Sequence, residues 1–206
     1  QQDIKKSIHY LSLSANQNNP CAQSYLGFFY YEGIYVKRDI DKAIHYLTLA
    51  ANKNDEFAQS ILATIYYLGE DVERNLNKSF YYFYQAAENN KHNAQFIVGN
   101  MYMTGEYVSQ DINKSIHYYK LASSFNNQYA KNNLSIIYRH GKEVKRNLWY
   151  SIELLKESIR QCDDEVAKYN LSHLYLYEEN IKYEYDDIIK MLIESIIQEF
   201  SPSKYL

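Results

Sequence analysis

Two periods are superposed in the hydrophobic pattern of this chain. Within short stretches apolar residues recur three and four apart, the spacing of one face of an α-helix. The pattern then returns every 36 residues, through Ala22 to Phe57, Ala58 to Asn93 and Ala94 to Tyr129, and once more over Ala130 to Val166 with one residue added. Counting each repeat from its first alanine as phase 1, phase 5 is Leu or Val (Leu26, Leu62, Val98, Leu134). Phase 8 is apolar, and phase 9 is Tyr in every copy (Tyr30, Tyr66, Tyr102, Tyr138). These positions share one helical stripe, so a first helix is predicted in each repeat with that stripe buried. Gly33, Gly69, Gly105 and Gly141 at phase 12 stop it, because glycine accepts the positive φ with which helices commonly end. Val at phase 15 pins the loop, and Asp39, Asn75, Asp111 and Asn147 at phase 18 supply the capping oxygen that opens a second helix. Ala or Ser at phase 22 leaves room for the two helices to cross.

Nearly the whole chain is covered by this unit. Residues 1–21 read as the second helix of a truncated repeat, 22–57, 58–93, 94–129 and 130–166 as full repeats, and 167–206 as a degenerate capping hairpin, all in one array over 1–206. Composition agrees with an all-α fold. Six Gly and two Pro among 206 residues fall well below the average of roughly 12%, and a many-cornered β-sandwich needs both residue types at its turns. The six glycines occupy only phases 6 and 12. The 24 Tyr explain how a chain 46% hydrophobic can have a mean hydropathy of −0.55: an apolar ring with a polar tip suits half-buried positions.

Charge narrows the partners. A net charge of −3 gives no basic excess for phosphates, so nucleic acid is not expected, and no apolar run approaches the ~20 residues that span a bilayer. Two cysteines do not make a disulfide framework in a chain of this length, so a reducing, cytoplasmic setting is the expectation. A chain opening on Gln1 rather than Met reads as a fragment or processed form.

The order A-x-x-x-L-G-x-x-Y-x-x-G-x-x-V-x-x-D-x-x-K-A-x-x-Y-x-x-x-A-A, as in AQSYLGFFYYEGIYVKRDIDKAIHYLTLAA from Ala22, resembles the Sel-one-like repeat, a relative of the tetratricopeptide repeat. Departures are Ala63 and Ser135 at phase 6, Trp149 and Tyr150 early in the fourth repeat's second helix, and Glu178 in place of the last phase 12 Gly. The resemblance implies a right-handed α/α superhelix, a solenoid of about five hairpins, acting as a monomeric, non-catalytic scaffold or adaptor for a protein or peptide partner. It also implies an alternative role as a regulatory subunit of a separate enzyme complex, of quality-control or cell-wall-synthesis type. In related solenoids the side of the first helix opposite the buried stripe looks into a concave groove. Here that side carries Ser24, Phe28 and Tyr31; Ser60, Thr64 and Tyr67; Phe96, Asn100 and Met103; Asn132, Ile136 and Arg139; and Tyr169 and His173. Aromatics, Asn, Ser and Met with a single full charge suit an adaptable binding surface, although tight stacking of neighbouring helices would also cover them.

Other chemistry is thinner. His9, His45 and His117 share phase 24 and would stand a repeat apart, at about the ~10 Å helix-packing distance, whereas a metal needs its donors within ~2 Å. No metal or cofactor is expected. The cluster Arg139, His140, Lys142, Lys145 and Arg146 reads either as solvated loop charge or as an anion or phosphopeptide site, and Glu178, Glu179, Glu184, Asp186 and Asp187 read as a solubilising end. Ser201-Pro202-Ser203-Lys204 fits the S-x-x-K pattern of penicillin-recognising enzymes, which makes a β-lactam-interacting hydrolase the least favoured alternative. No repeat gathers a nucleophile, a base and an orienting group, so catalysis is not expected.

Overall fold

A helix begins with amides that have no partner within the helix, and a preceding Asn or Asp oxygen satisfies one of them. The computed structural model describes residues 2–106, 108–142, 144–178 and 193. In it Asp39, Asn75, Asp111 and Asn147 each accept from the amide three residues on, at 3.0 Å. The helices are α1 Gln2–Asn16, α2 Pro20–Glu32, α3 Ile40–Ala51, α4 Glu56–Leu68, α5 Leu76–Glu88, α6 His92–Thr104, α7 Ile112–Ser124, α8 Gln128–His140, α9 Leu148–Cys162 and α10 Glu165–Tyr177. No strand occurs among the described residues. The rest of the expected terminal hairpin, including Glu179, Glu184, Asp186, Asp187 and the Ser201 to Lys204 motif, lies outside them.

Each first helix starts two residues ahead of the phase 1 alanine. Asn19, Asp55, Asn127 and Asp164 cap α2, α4, α8 and α10 through their side chains. Glycines end α2, α4, α6 and α8 with φ between 65° and 73°. At Gly69 the constraint is also steric, because a Cβ there would lie 2.5 Å from the Arg74 Cβ and 2.8 Å from its Cα.

The described helices form an all-α solenoid of repeated hairpins. The chain divides into two compact units, Gln1–Ser115 and Ile116–Leu206, with the division inside α7. In the first, Ala43, Leu47, Ala50 and Ala51 of α3 and Ala58, Leu62 and Ile65 of α4 form a core cluster against which Tyr30, Tyr31 and Tyr66 pack. Burying a Leu such as Leu62 stabilises by roughly 2 kcal/mol. In the second, Leu155 of α9 packs with Ala167, Leu171, Leu174 and Tyr175 of α10. Within the first unit α1 to α6 pack each on the next, and within the second α8 on α9 and α9 on α10; α2 also packs on α4 and α8 on α10, the matching helices of successive hairpins. Small residues permit the crossings: a Cβ on Gly27 would meet the Leu47 Cγ at 2.7 Å, and Ser151 Oγ donates to the Ser135 carbonyl at 2.8 Å.

Candidate functional site

In the first unit α2, α4 and α6 each offer a row of residues outside the phase 5 and phase 9 stripe, with Tyr31 of that row packed on the α3–α4 core cluster. Hydroxyls in these rows are turned back into the helix: Ser60 Oγ donates to the Glu56 carbonyl and Thr64 Oγ1 to that of Ser60, both at 2.9 Å. Each therefore presents acceptor lone pairs rather than a donor. Phe28 stands edge-on to Phe57, centroids 5.4 Å apart, and Phe57 also faces Tyr25. Burial, followed by the nearby Glu32 carboxylate, raises the Tyr31 phenol above its usual range.

Between α4 and α6 lies a cavity of about 590 Å³. Thr64, Tyr67 and Leu68 line it from α4, Ile97, Asn100, Met101 and Thr104 from α6, with Phe83 of α5 and Glu106 completing it. Phe83 and Met101 are buried. Of the residues singled out from the sequence, Thr64, Tyr67 and Asn100 meet here. Phe83, Ile97 and Thr104 stand at phases 26, 4 and 11, outside the positions singled out from the sequence.

One recurrent element escaped the sequence reading. The residue before each second-helix cap folds back on the first helix: Arg38 Nε donates to the Tyr31 carbonyl, Arg74 Nε to that of Tyr67 and Arg146 Nε to that of Arg139, each at 2.9 Å, and Gln110 Nε2 to that of Met103 at 2.8 Å. The Arg38 and Arg74 guanidiniums lie 5.9 and 5.5 Å from the rings of Tyr31 and Tyr67, within cation–π range. The signal was visible as KRD, ERN, SQD and KRN at one phase.

Two sequence-predicted positions are corrected by burial. Ser24 is 2% exposed and donates to the Cys21 carbonyl at 3.0 Å. Asn132 is 5% exposed and donates to Asp164 Oδ2 at 2.9 Å, an acceptor also shared by Ser158 Oγ. Ser24 bonds back into its own helix, as short hydroxyls do, while Asn132 ties α8 to the Asp164 cap of α10, so neither lines an open surface.

In the second unit Ile136 and Tyr169 are exposed, while Arg139 is bound into a network. Its Nη2 meets His173 Nδ1 at 3.1 Å and its Nε approaches Glu178 Oε1 at 3.6 Å. A guanidinium only donates, so in this contact His173 Nδ1 is the acceptor. Arg146 Nη2 reaches Glu178 Oε2 at 2.6 Å. The anion position of the basic cluster is thus held by the chain's own carboxylate. Glu178 is correspondingly an ion-pair partner rather than a solubilising residue, and its φ of −105° shows that it does not replace the left-handed glycine. His9, His45 and His117 are exposed beside Tyr10, Tyr46 and Tyr118. No metal-capable cluster of His, Cys, Asp or Glu occurs among the described residues, and no helix there is long and apolar enough to cross a membrane.

The family model described as Sel1 repeat matches residues 1–19, 22–55, 57–91, 92–124 and 128–161. Among solved structures the chain is similar to a protective antigen present in uropathogenic Escherichia coli strains and displaying an SLR fold, with TM-score 0.88 and 25% identity over 93% of this chain. This chain spans 41% of the length of that protein. It is also similar to a Sel1 repeat protein from Oxalobacter formigenes, with TM-score 0.78 and 22% identity, covering 95% of this chain and 80% of the other. No curated protein matches the sequence.

Proposed function

This chain belongs to the Sel1 repeat family, whose solenoids are typically non-catalytic protein-interaction scaffolds, and we propose that it captures a segment of a partner protein in the cavity between α4 and α6. The observation that carries this reading is the cavity itself. Its volume of about 590 Å³ falls within the ~300–1,000 Å³ of ligand pockets, its floor holds the buried Phe83 and Met101, and its wall carries Tyr67, Thr64 and Asn100. An apolar anchor side chain would enter the cavity while the polar wall orients the segment's backbone. Tyr31, Ser60, Phe28, Phe96 and Met103 extend the surface along the same three helices. Ile136 and Tyr169 offer further apolar contact in the second unit, with Arg139 and His173 beside them.

Peptides selected from a random library on the wild-type protein test this. Thr64→Arg, which fills the cavity with a charged chain, is expected to weaken the selected peptides by at least about tenfold with far-UV circular dichroism unchanged, and Asn100→Ala to weaken them less. Equal affinity of the selected peptides for wild type and Thr64→Arg would sink the assignment.

A further inference from the structure

The side chains at phase 17 that reach back to the phase 10 carbonyl include three arginines, Arg38, Arg74 and Arg146. Tying Nε in this way fixes the guanidinium plane and leaves the Nη groups as its remaining donors. At Arg38 they are taken by Asp71, just beyond α4, with Nη2 to Oδ2 at 2.5 Å. At Arg146 they are taken by Glu178, just beyond α10, with Nη2 to Oε2 at 2.6 Å. In both cases the carboxylate comes from the following hairpin.

Arg74 has the same anchorage without the carboxylate. Its Nε bonds the Tyr67 carbonyl at 2.9 Å and its guanidinium lies 5.5 Å from the Tyr67 ring, yet among the described residues no carboxylate pairs with it. The counterparts of Asp71 and Glu178 after α6 are Tyr107 and Gly105, and neither residue type carries a negative charge at neutral pH. Glu106, between them in sequence, lines the cavity between α4 and α6 and makes no ion pair among the described residues. Glu70 at the same phase likewise leaves Arg38 to Asp71. The one guanidinium of the three without a carboxylate is also the one beside the cavity, since Tyr67 is both its stacking surface and part of the cavity wall.

We infer that the partner segment captured between α4 and α6 presents an Asp or Glu side chain to Arg74, in the place that the next hairpin's carboxylate takes at Arg38 and Arg146. This rests on the capture reading and adds a charge to it: an apolar anchor in the cavity, with a carboxylate beside it on the Tyr67 side. A guanidinium already fixed by its Nε bond and its ring contact loses little freedom on pairing, unlike a free surface arginine. The nearby loop acids Glu70, Glu73 and Glu106 repel an acidic segment that misses the guanidinium, so position rather than net charge decides recognition.

A phage-displayed random peptide library, selected in parallel on the wild-type chain and on Arg74→Gln, tests this. Gln110 makes the same backbone tie with a glutamine, Nε2 to the Met103 carbonyl at 2.8 Å, so Arg74→Gln keeps the loop and removes the charge and the Nη donors. Peptides from the wild type are expected to carry Asp or Glu at a fixed spacing from the apolar anchor, and those from Arg74→Gln to lack it. Changing that acid to its amide is expected to weaken binding about fivefold on the wild type and not on Arg74→Gln, while Glu106→Gln tightens binding roughly twofold. No fixed acidic position, or an equal loss on both proteins, overturns the inference. A fixed Lys or Arg whose contribution disappears in Glu106→Gln also overturns it and gives the rim a cationic segment. With any of these, peptides still weakened by Thr64→Arg leave the capture reading standing. Peptides that couple to Arg74 but ignore Thr64→Arg sink the capture reading and keep the carboxylate contact, and a library that yields no binder overturns both.

Discussion

Asn18, Asn54, Asn90 and Asn126 hold φ between 61° and 66°, and each stands just before the residue that caps the next hairpin. Asparagine tolerates this left-handed conformation because its short side chain bonds locally. The cap that follows closes the turn: Asn19, Asp55 and Asn127 accept from the amides of Ala22, Ala58 and Ala130 at 2.9 to 3.0 Å. At those three turns Asx residues serve two successive positions, one for backbone shape and one for capping, whereas Lys91 after Asn90 makes no side-chain cap bond. At Asn54 this argument predicts opposite effects of two small residues. Asn54→Ala is expected to destabilise by about 1 kcal/mol, the cost of a Cβ without local bonding in the left-handed region, whereas Asn54→Gly should leave the urea midpoint unchanged or higher. Equal midpoints for Ala and Gly would discard the explanation.

Helices are held in register by polar ties as well as by apolar packing. Gln23, Gln59 and Gln95, all at phase 2 and all buried, donate Nε2 to the carbonyls of Ala15, Ala51 and Ala87 at 3.1, 3.3 and 3.2 Å. Each tie joins the first helix of one hairpin to the second helix of the hairpin before it. In the second unit lysines take this phase. Lys131 is 1% exposed and reaches Gln161 and Glu157, while Lys168 pairs with Asp163 at 2.6 Å and Glu165 at 3.0 Å. Burial alone would push the Lys168 ammonium down, but hydrogen bonds to Asp163 and Glu165 override it and hold the group above the usual lysine range. Replacing Gln59 by Leu keeps volume and removes the donor. Because the Ala51 carbonyl keeps the Asn54 amide at 2.9 Å, Gln59→Leu is expected to cost about 0.5–1.5 kcal/mol, the net worth of a hydrogen bond, read as a lower denaturant midpoint at unchanged m-value. A neutral result would show that the apolar stripe alone sets the register.

Within each unit, contacts among the described helices are local in sequence, as in a quasi-one-dimensional array whose stability is a sum of repeat and neighbour terms. A core defect should then loosen its own neighbourhood. Leu62→Ala is expected to cost about 2–5 kcal/mol and to lower hydrogen-exchange protection in α3, α4 and α5, with α8, α9 and α10 keeping theirs. Protection falling equally in all helices would show one cooperative block instead.

Sequence by itself determined the repeat, the class of fold, the buried stripe and the glycine and Asn/Asp helix ends, because each is written in residues within one helical turn or one period of each other. The same local logic named the face on which Thr64, Tyr67 and Asn100 lie. Only the tertiary structure decided which residues on that face meet at a cavity, that Ser24 and Asn132 turn inward, and that Glu178 answers Arg139 and Arg146. Such outcomes rest on pairs like Asn132 with Asp164 and Arg146 with Glu178, each 32 residues apart. Their meeting depends on the offset between stacked hairpins. Periodicity specifies that hairpins stack; side-chain volume and charge, acting at contact distance, specify which atoms then touch.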